Sequence, residues 1–154
     1  MTFEEYQNEA VKFRTGSANN EEYLTLGLIE EVGEAAGKLA KRRRDGVWDE
    51  KAFIKELGDI LWFVANLADY YDDADIHDTL KCWFTPTKVE YKQDYNDMRY
   101  LANFAVQVAA DDSDDAELYE ATIGWLYATA KSFGYELEQV AEINLAKLRD
   151  RQAR

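Results

Sequence analysis

Phe3, Tyr6, Ala10 and Phe13 recur at helical spacing behind Thr2, and Glu5 follows that threonine by three residues, as in a capping box. The pattern predicts a first helix that closes at Gly16. A second stripe, Leu24, Leu28, Val32, Ala35, Ala36 and Leu39, predicts a helix from Asn19 or Asn20 to about Arg43. Lys41-Arg42-Arg43-Arg44 at its end complements the helix dipole, and Asp45-Gly46 reads as a turn. A third helix is predicted from about Asp49 to Tyr70. Its stretch from Leu57 to Ala68 is apolar on nearly all sides, the mark of a central helix enclosed by others.

Beyond it the pattern weakens. Residues from about Asp72 to Pro86 read as irregular. Helices are predicted over roughly Glu90 to Ala110, Ala116 to Phe133 and Leu137 to Arg151, with Tyr135-Glu136 after Gly134 as the last turn. No alternation of period two supports a sheet. The expected fold is all-α, a bundle of about five to six helices. Ile60-Leu-Trp-Phe-Val-Ala has an echo in Ile123-Gly-Trp-Leu-Tyr-Ala, which two buried helices carrying a Trp each explain without a repeat.

Composition narrows the class. The chain has 154 residues, suited to one domain with a real core, and one proline and eight glycines leave few helix breaks. A net charge of −13 speaks against a nucleic-acid-binding surface, since phosphate contacts need Lys and Arg. It suits a small anionic substrate only if metal ions screen the site. Asp111 to Asp115 reads as a solvated acidic face. Cys82 is the one cysteine, so intrachain disulfides and multi-cysteine zinc sites are excluded. The first residues lack a basic region followed by an apolar stretch, and no apolar run approaches the roughly 20 residues of a membrane span. The expectation is a soluble cytoplasmic protein, in the host cytoplasm if phage-encoded.

Two acidic clusters change the picture most. Glu30-Glu31-Val32-Gly33-Glu34 and Glu56-Leu57-Gly58-Asp59 each place two acids three residues apart within an apolar helical run. Residues at that spacing share a helix face. If the faces meet, Glu31, Glu34, Glu56 and Asp59 converge with no basic residue among them. Such a group stays ionised in a packed interior only if cations neutralise it. Magnesium takes hard oxygen ligands and keeps waters, leaving room for a phosphate, with Mn²⁺ as a substitute. A ferritin-like di-iron site needs Glu-x-x-His pairs, and the single histidine, His77, lies outside both clusters and reads as a surface or loop residue. No Ser or Cys stands beside it in a triad motif.

With Glu31-x-x-Glu34, a gap of some twenty residues and Glu56-x-x-Asp59, the chain resembles the MazG-type all-α nucleoside triphosphate pyrophosphohydrolases. That superfamily includes dimeric dUTPases and phosphoribosyl-ATP pyrophosphatases. Glu5-Tyr6-Gln7, Leu26-Gly27-Leu28 and Glu56-Leu-Gly-Asp-Ile-Leu-Trp62 are similar to its small bacterial and phage members. Leu137-Glu-Gln-Val-Ala-Glu-Ile-Asn144-Leu-Ala-Lys147-Leu-Arg149 is similar to the closing helix, where Asn144 and Lys147 match positions that reach substrate phosphates. The resemblance covers about residues 2–70 and 120–151. It implies a single domain over 1–154 with an insertion at about 71–120 that adds a helical hairpin.

It further implies hydrolysis of a (d)NTP to (d)NMP and pyrophosphate, with a role in a dNTP pool, nucleotide house-cleaning or dUTP removal. Metal would be held by Glu31, Glu34, Glu56 and Asp59, and a homo-oligomer, dimer or tetramer, is expected. Glu34 or Glu31 would assist deprotonation of the attacking water, a choice that spacing leaves open. Lys147 and Asn144 would face phosphate, although Lys147 could equally be a cation near a helix C-terminus. Glu34 and Lys38 stand at i,i+4 and could form a surface ion pair. Trp48 could stack on a base or belong to the core; Trp62, Phe63, Trp125 and Tyr127 read as core. A different class, a non-enzymatic acidic helical protein that mimics nucleic acid, would show its acids in exposed rows.

Overall fold

The computed structural model describes residues 1–81, 95–111 and 115–154. Every regular element among them is helical: α1 (Phe3–Ala10), α2 (Glu21–Asp45), α3 (Glu50–Tyr71), α4 (Ala74–Leu80), α5 (Tyr95–Ala110), α6 (Ala116–Ser132) and α7 (Leu137–Ala153), with 3-10 turns over Val11–Phe13 and Gly16–Ala18. The all-α expectation holds.

Local chemistry sets the ends. The hydroxyl of Thr2 accepts from the Glu5 amide while the Glu5 carboxylate accepts from the Thr2 amide, closing the expected box. Asn20 caps α2 through the Tyr23 amide, and Gly46, at φ 70°, ends it in the left-handed region that glycine enters without strain. Asp49 caps α3 through the Ala52 amide.

α3 is the axis of the molecule. It packs on α1, α2, α6 and α7, and Ile60 through Ala68 are all buried. This is what its all-round apolar sequence requires. Two polar side chains on it find backbone partners or supply them: Asn66 donates to the Trp62 carbonyl, and the Trp62 indole donates to the Ala10 carbonyl. α2 lies along α3 so closely that Gly27 faces the Phe63 ring, and a Cβ there would stand 2.3 Å from it. Of the predicted α2 stripe, Leu24, Leu28, Val32 and Ala35 are buried, Leu39 partly, while Ala36 is exposed.

The irregular reading of Asp72 to Pro86 is corrected in part. Ala74–Leu80 is helical because the Asp73 carboxylate accepts from two amides, Asp75 and Ile76, and because Ile76 and Leu80, one turn apart, are both buried. This helix makes seven α-helices among the described residues. Residues 82–94 lie outside them, so Cys82, Pro86 and the predicted start of a helix at Glu90 are not described; nor are residues 112–114 of the acidic run. α4 and α5 lie in the 71–120 stretch, and α5 packs on both α2 and α6.

Candidate metal centre

The antiparallel run of α2 against α3 brings Glu31 to Glu56 and Asp59, and one oxygen of each lies within 4.8 Å of the others. Each is held from below by an apolar neighbour that the core takes: Val32, Leu57 and Ile60 are buried. The acids are therefore neither fully inside nor free in water. Glu56 and Asp59 keep only 14% and 15% of their side-chain surface exposed.

Asp59 is the most constrained. Its Oδ1 accepts from Asn144 Nδ2 at 3.2 Å, and its Oδ2 is paired with the Lys147 ammonium. Asn144 in turn accepts from the Tyr6 hydroxyl at 2.8 Å. Burial, then the charge of Asp59, raises the Tyr6 phenol well above its usual range and keeps it a neutral donor. The contact is possible because Gly58 lets α7 come close: a Cβ on it would meet the Asn144 Cβ at 3.0 Å. Helices α1, α3 and α7 thus converge on one carboxylate.

Glu31 is left differently. Its Oε2 is buried without a hydrogen-bond partner. Burial, then the charges of Asp59, Glu34 and Glu56 and a hydrogen bond shared with Glu56, push its carboxyl up to about 8. An orphaned carboxylate oxygen beside two further acids is the donor set that a hard divalent cation satisfies. The residues present fit such an ion.

Glu34 does not join the three; it is exposed, one turn along α2, near enough for its charge to act on Glu31. The expectation of a cluster without bases is corrected. Two lysines enter it: Lys147 on Asp59, and Lys38, whose Nζ lies 3.3 Å from Glu56 Oε1. Lys38 thus pairs across to α3 instead of with Glu34 on its own helix. Glu30 is exposed and lines an open concavity of about 440 Å³ together with Ser17, Asn20, Glu22, Tyr23, Leu26 and Gly27. Trp48 is partly buried against the core, with Phe53 and Phe133 beside it at 5.3 and 5.5 Å and Arg42 over its ring at 4.5 Å. His77 is on α4, away from the acids, 3.0 Å from Asp72.

Sequence reasoning misses Tyr6 and Lys38. A tyrosine in an apolar stripe reads as core, and only its partner far along the chain reveals its role. Tyr119 and Thr122, which stand in the echo where Glu56 and Asp59 stand in α3, carry no acid; Thr122 donates to the Leu118 carbonyl.

Residues 19–81 match the model of the MazG nucleotide pyrophosphohydrolase domain. That span contains α2, α3 and all three clustered acids, so this part of the chain is MazG-like. A stretch of 55 residues is 44% identical to the Gene 37 protein of Mycobacterium phage L5, a match over 32% of this chain and 48% of that protein. The chain thus spans about half the length of that curated relative. No solved structure matches. Tyr6, Asn144 and Lys147 lie outside the matched residues.

Proposed function

Starting from a MazG-like all-α protein with a half-buried acid cluster, we propose that this chain is a Mg²⁺-dependent nucleoside triphosphate pyrophosphohydrolase. Water attacks between the α- and β-phosphates, and the products are a (deoxy)nucleoside monophosphate and pyrophosphate. The observation that carries the reading is the unpartnered Glu31 Oε2 within 4.8 Å of oxygens from Glu56 and Asp59. Three acids so placed ionise together only at a cost, and a divalent ion offsets that cost. Bound there, Mg²⁺ or Mn²⁺ supplies charge neutralisation for the triphosphate and favours attack by water.

The chain's own groups do the rest. Glu31, Glu56 and Asp59 would hold the cation, with Glu34 at the rim as the fourth acid. Asn144 and Lys147 fix the Asp59 carboxylate, and Lys147 shares its charge with a substrate phosphate. Glu34, exposed and beside the cluster, would take the proton of the attacking water, and Glu31 is the second carboxylate assigned to that role. The open concavity in which Tyr23, Leu26 and Gly27 are the apolar walls holds none of the three acids, but its Gly27 stands one helical turn before Glu31 on α2, and the nucleoside is assigned to that concavity.

The acids of a nucleic-acid mimic would be exposed in rows, whereas Glu56 and Asp59 are mostly covered. No helix of the described residues is long and apolar enough to cross a membrane. We place the protein in the cytoplasm as a single domain with an insertion at 71–120, and as a homo-oligomer. Incubation with each of the common NTPs and dNTPs and Mg²⁺, read by pyrophosphate release, tests the activity. Turnover of at least one supports it; turnover of none, with Mg²⁺ or with Mn²⁺, overturns it.

A further inference from the structure

We infer that Lys38 is a phosphate-binding residue of this site, parked on Glu56 until a divalent cation replaces it there. The inference rests on the reading of the acid cluster as a metal centre for a polyphosphate substrate.

Charge bookkeeping comes first. With all three ionised to receive a cation, Glu31, Glu56 and Asp59 bring three negative charges to a space where oxygens lie within 4.8 Å, and Lys38 and Lys147 bring two positive ones. A doubly charged cation added to that set leaves a surplus of one positive charge. The ammonium groups then have less reason to stay on the carboxylates and more reason to turn toward an anion.

The two lysines are not equivalent. Lys147 shares Asp59 with Asn144, which Tyr6 holds in turn, and only 19% of its side chain is exposed. Lys38 makes one ion pair, at 3.3 Å, and 34% of its side chain is exposed. It has a flexible stem and solvent to swing through. Of the two, Lys38 is the one free to change partner.

Its place on α2 says which part of a substrate it meets. Gly27 forms part of the concavity wall, Glu31 lies one turn on in the acid cluster, and Lys38 lies two turns beyond Glu31. A nucleotide with its nucleoside in the concavity and its phosphates over the acids points its terminal phosphates at Lys38.

The test needs no turnover. Mn²⁺ is titrated into wild type, Lys38→Met and Lys38→Arg, and inorganic tripolyphosphate is then titrated into each Mn²⁺-loaded protein. Met keeps the stem and helix propensity, so the fold is retained, which circular dichroism verifies. Lys38→Met is expected to bind Mn²⁺ several-fold tighter, because a competing cation is gone, and tripolyphosphate about tenfold more weakly, the usual scale for one charge-assisted hydrogen bond. Lys38→Arg restores tripolyphosphate affinity to within about threefold of wild type. Unchanged tripolyphosphate affinity in Lys38→Met overturns the inference whatever Mn²⁺ does. If wild type hydrolyses nucleotides and Lys38→Met matches it in both titrations, only this inference falls. If the affinities shift as expected and no nucleotide is hydrolysed, the proposed activity falls and the role of Lys38 stands.

Discussion

Asn144 on α7 donates to Asp59 on α3 at 3.2 Å, and this one hydrogen bond ties the closing helix to the acid cluster. Behind it the Tyr6 hydroxyl fills the remaining acceptor of the amide, in a fully buried pocket. Replacing Asn144 by Leu removes the buried acceptor of the Tyr6 hydroxyl and the donor to Asp59, so the variant is expected to lose about 2 kcal/mol of stability in urea unfolding, the scale of buried hydrogen bonds lost. Adding Tyr6→Phe to Asn144→Leu should cost less than Tyr6→Phe costs in the wild-type background, since two residues that share a hydrogen bond couple. Equal costs of Tyr6→Phe in the two backgrounds would show that the Tyr6–Asn144 bond carries no coupling energy.

Separate roles for the acids make a second prediction. Glu56→Gln and Asp59→Asn remove ligands from the three-acid group and should abolish Mn²⁺ binding and turnover together, with the helical fold kept. Glu34→Gln, at the exposed rim, is expected to leave Mn²⁺ affinity within about threefold while kcat falls on the order of 100-fold or more, the range for a lost general base. Calorimetric titration beside steady-state kinetics decides it. Full activity in Glu34→Gln would remove that residue from the mechanism.

Glu31 gives the third a definite sign. Its carboxyl is pushed up to about 8 in the fold against an ordinary 4.5, so the folded state holds a proton that the unfolded chain has released. Its contribution to stability is fully present below pH 4.5 and is lost as pH rises through about 8. The metal-free protein should therefore show a Tm that falls between pH 5 and pH 8 from this group, and Glu31→Gln should flatten that fall. Metal binding must displace the same proton, so Mg²⁺ affinity is expected to rise with pH up to about 8 and to release protons at pH 7. Equal proton release by wild type and Glu31→Gln would locate the titrating group elsewhere.

Most of the site is legible in the chain because α3 is apolar on every side and an acid on it has nowhere to hide. Asp59 and Glu56 follow from that alone, and Glu31 from its place on the buried face of α2. What the one-dimensional pattern omits is register between helices. Lys38 has Glu34 within reach on its own helix, and only the α2–α3 alignment turns it to Glu56 at 3.3 Å. The same alignment leaves Glu34 outside the cluster although its spacing from Glu31 is right. α4 is hidden for another reason: seven residues rich in acids have little helical tendency until Asp73 caps them and Ile76 and Leu80 are buried by the rest of the fold.

The last prediction sets two glycines of one helix against each other. Alanine is the better helix former by about 1 kcal/mol, so Gly→Ala on α2 should stabilise wherever space allows. At Gly33 a new Cβ meets nothing within 4 Å, and Gly33→Ala is expected to gain up to about 1 kcal/mol. At Gly27 the Cβ would stand 2.3 Å from the Phe63 ring, which is 6% exposed and is backed by Trp62 edge-on at 4.9 Å. The ring cannot retreat far, and overpacking costs about 1–3 kcal/mol, enough to reverse the sign at Gly27. Urea midpoints of the two variants should therefore move in opposite directions. A loss at Gly33 as large as that at Gly27 would show that the close approach to Phe63 does not set the cost at Gly27.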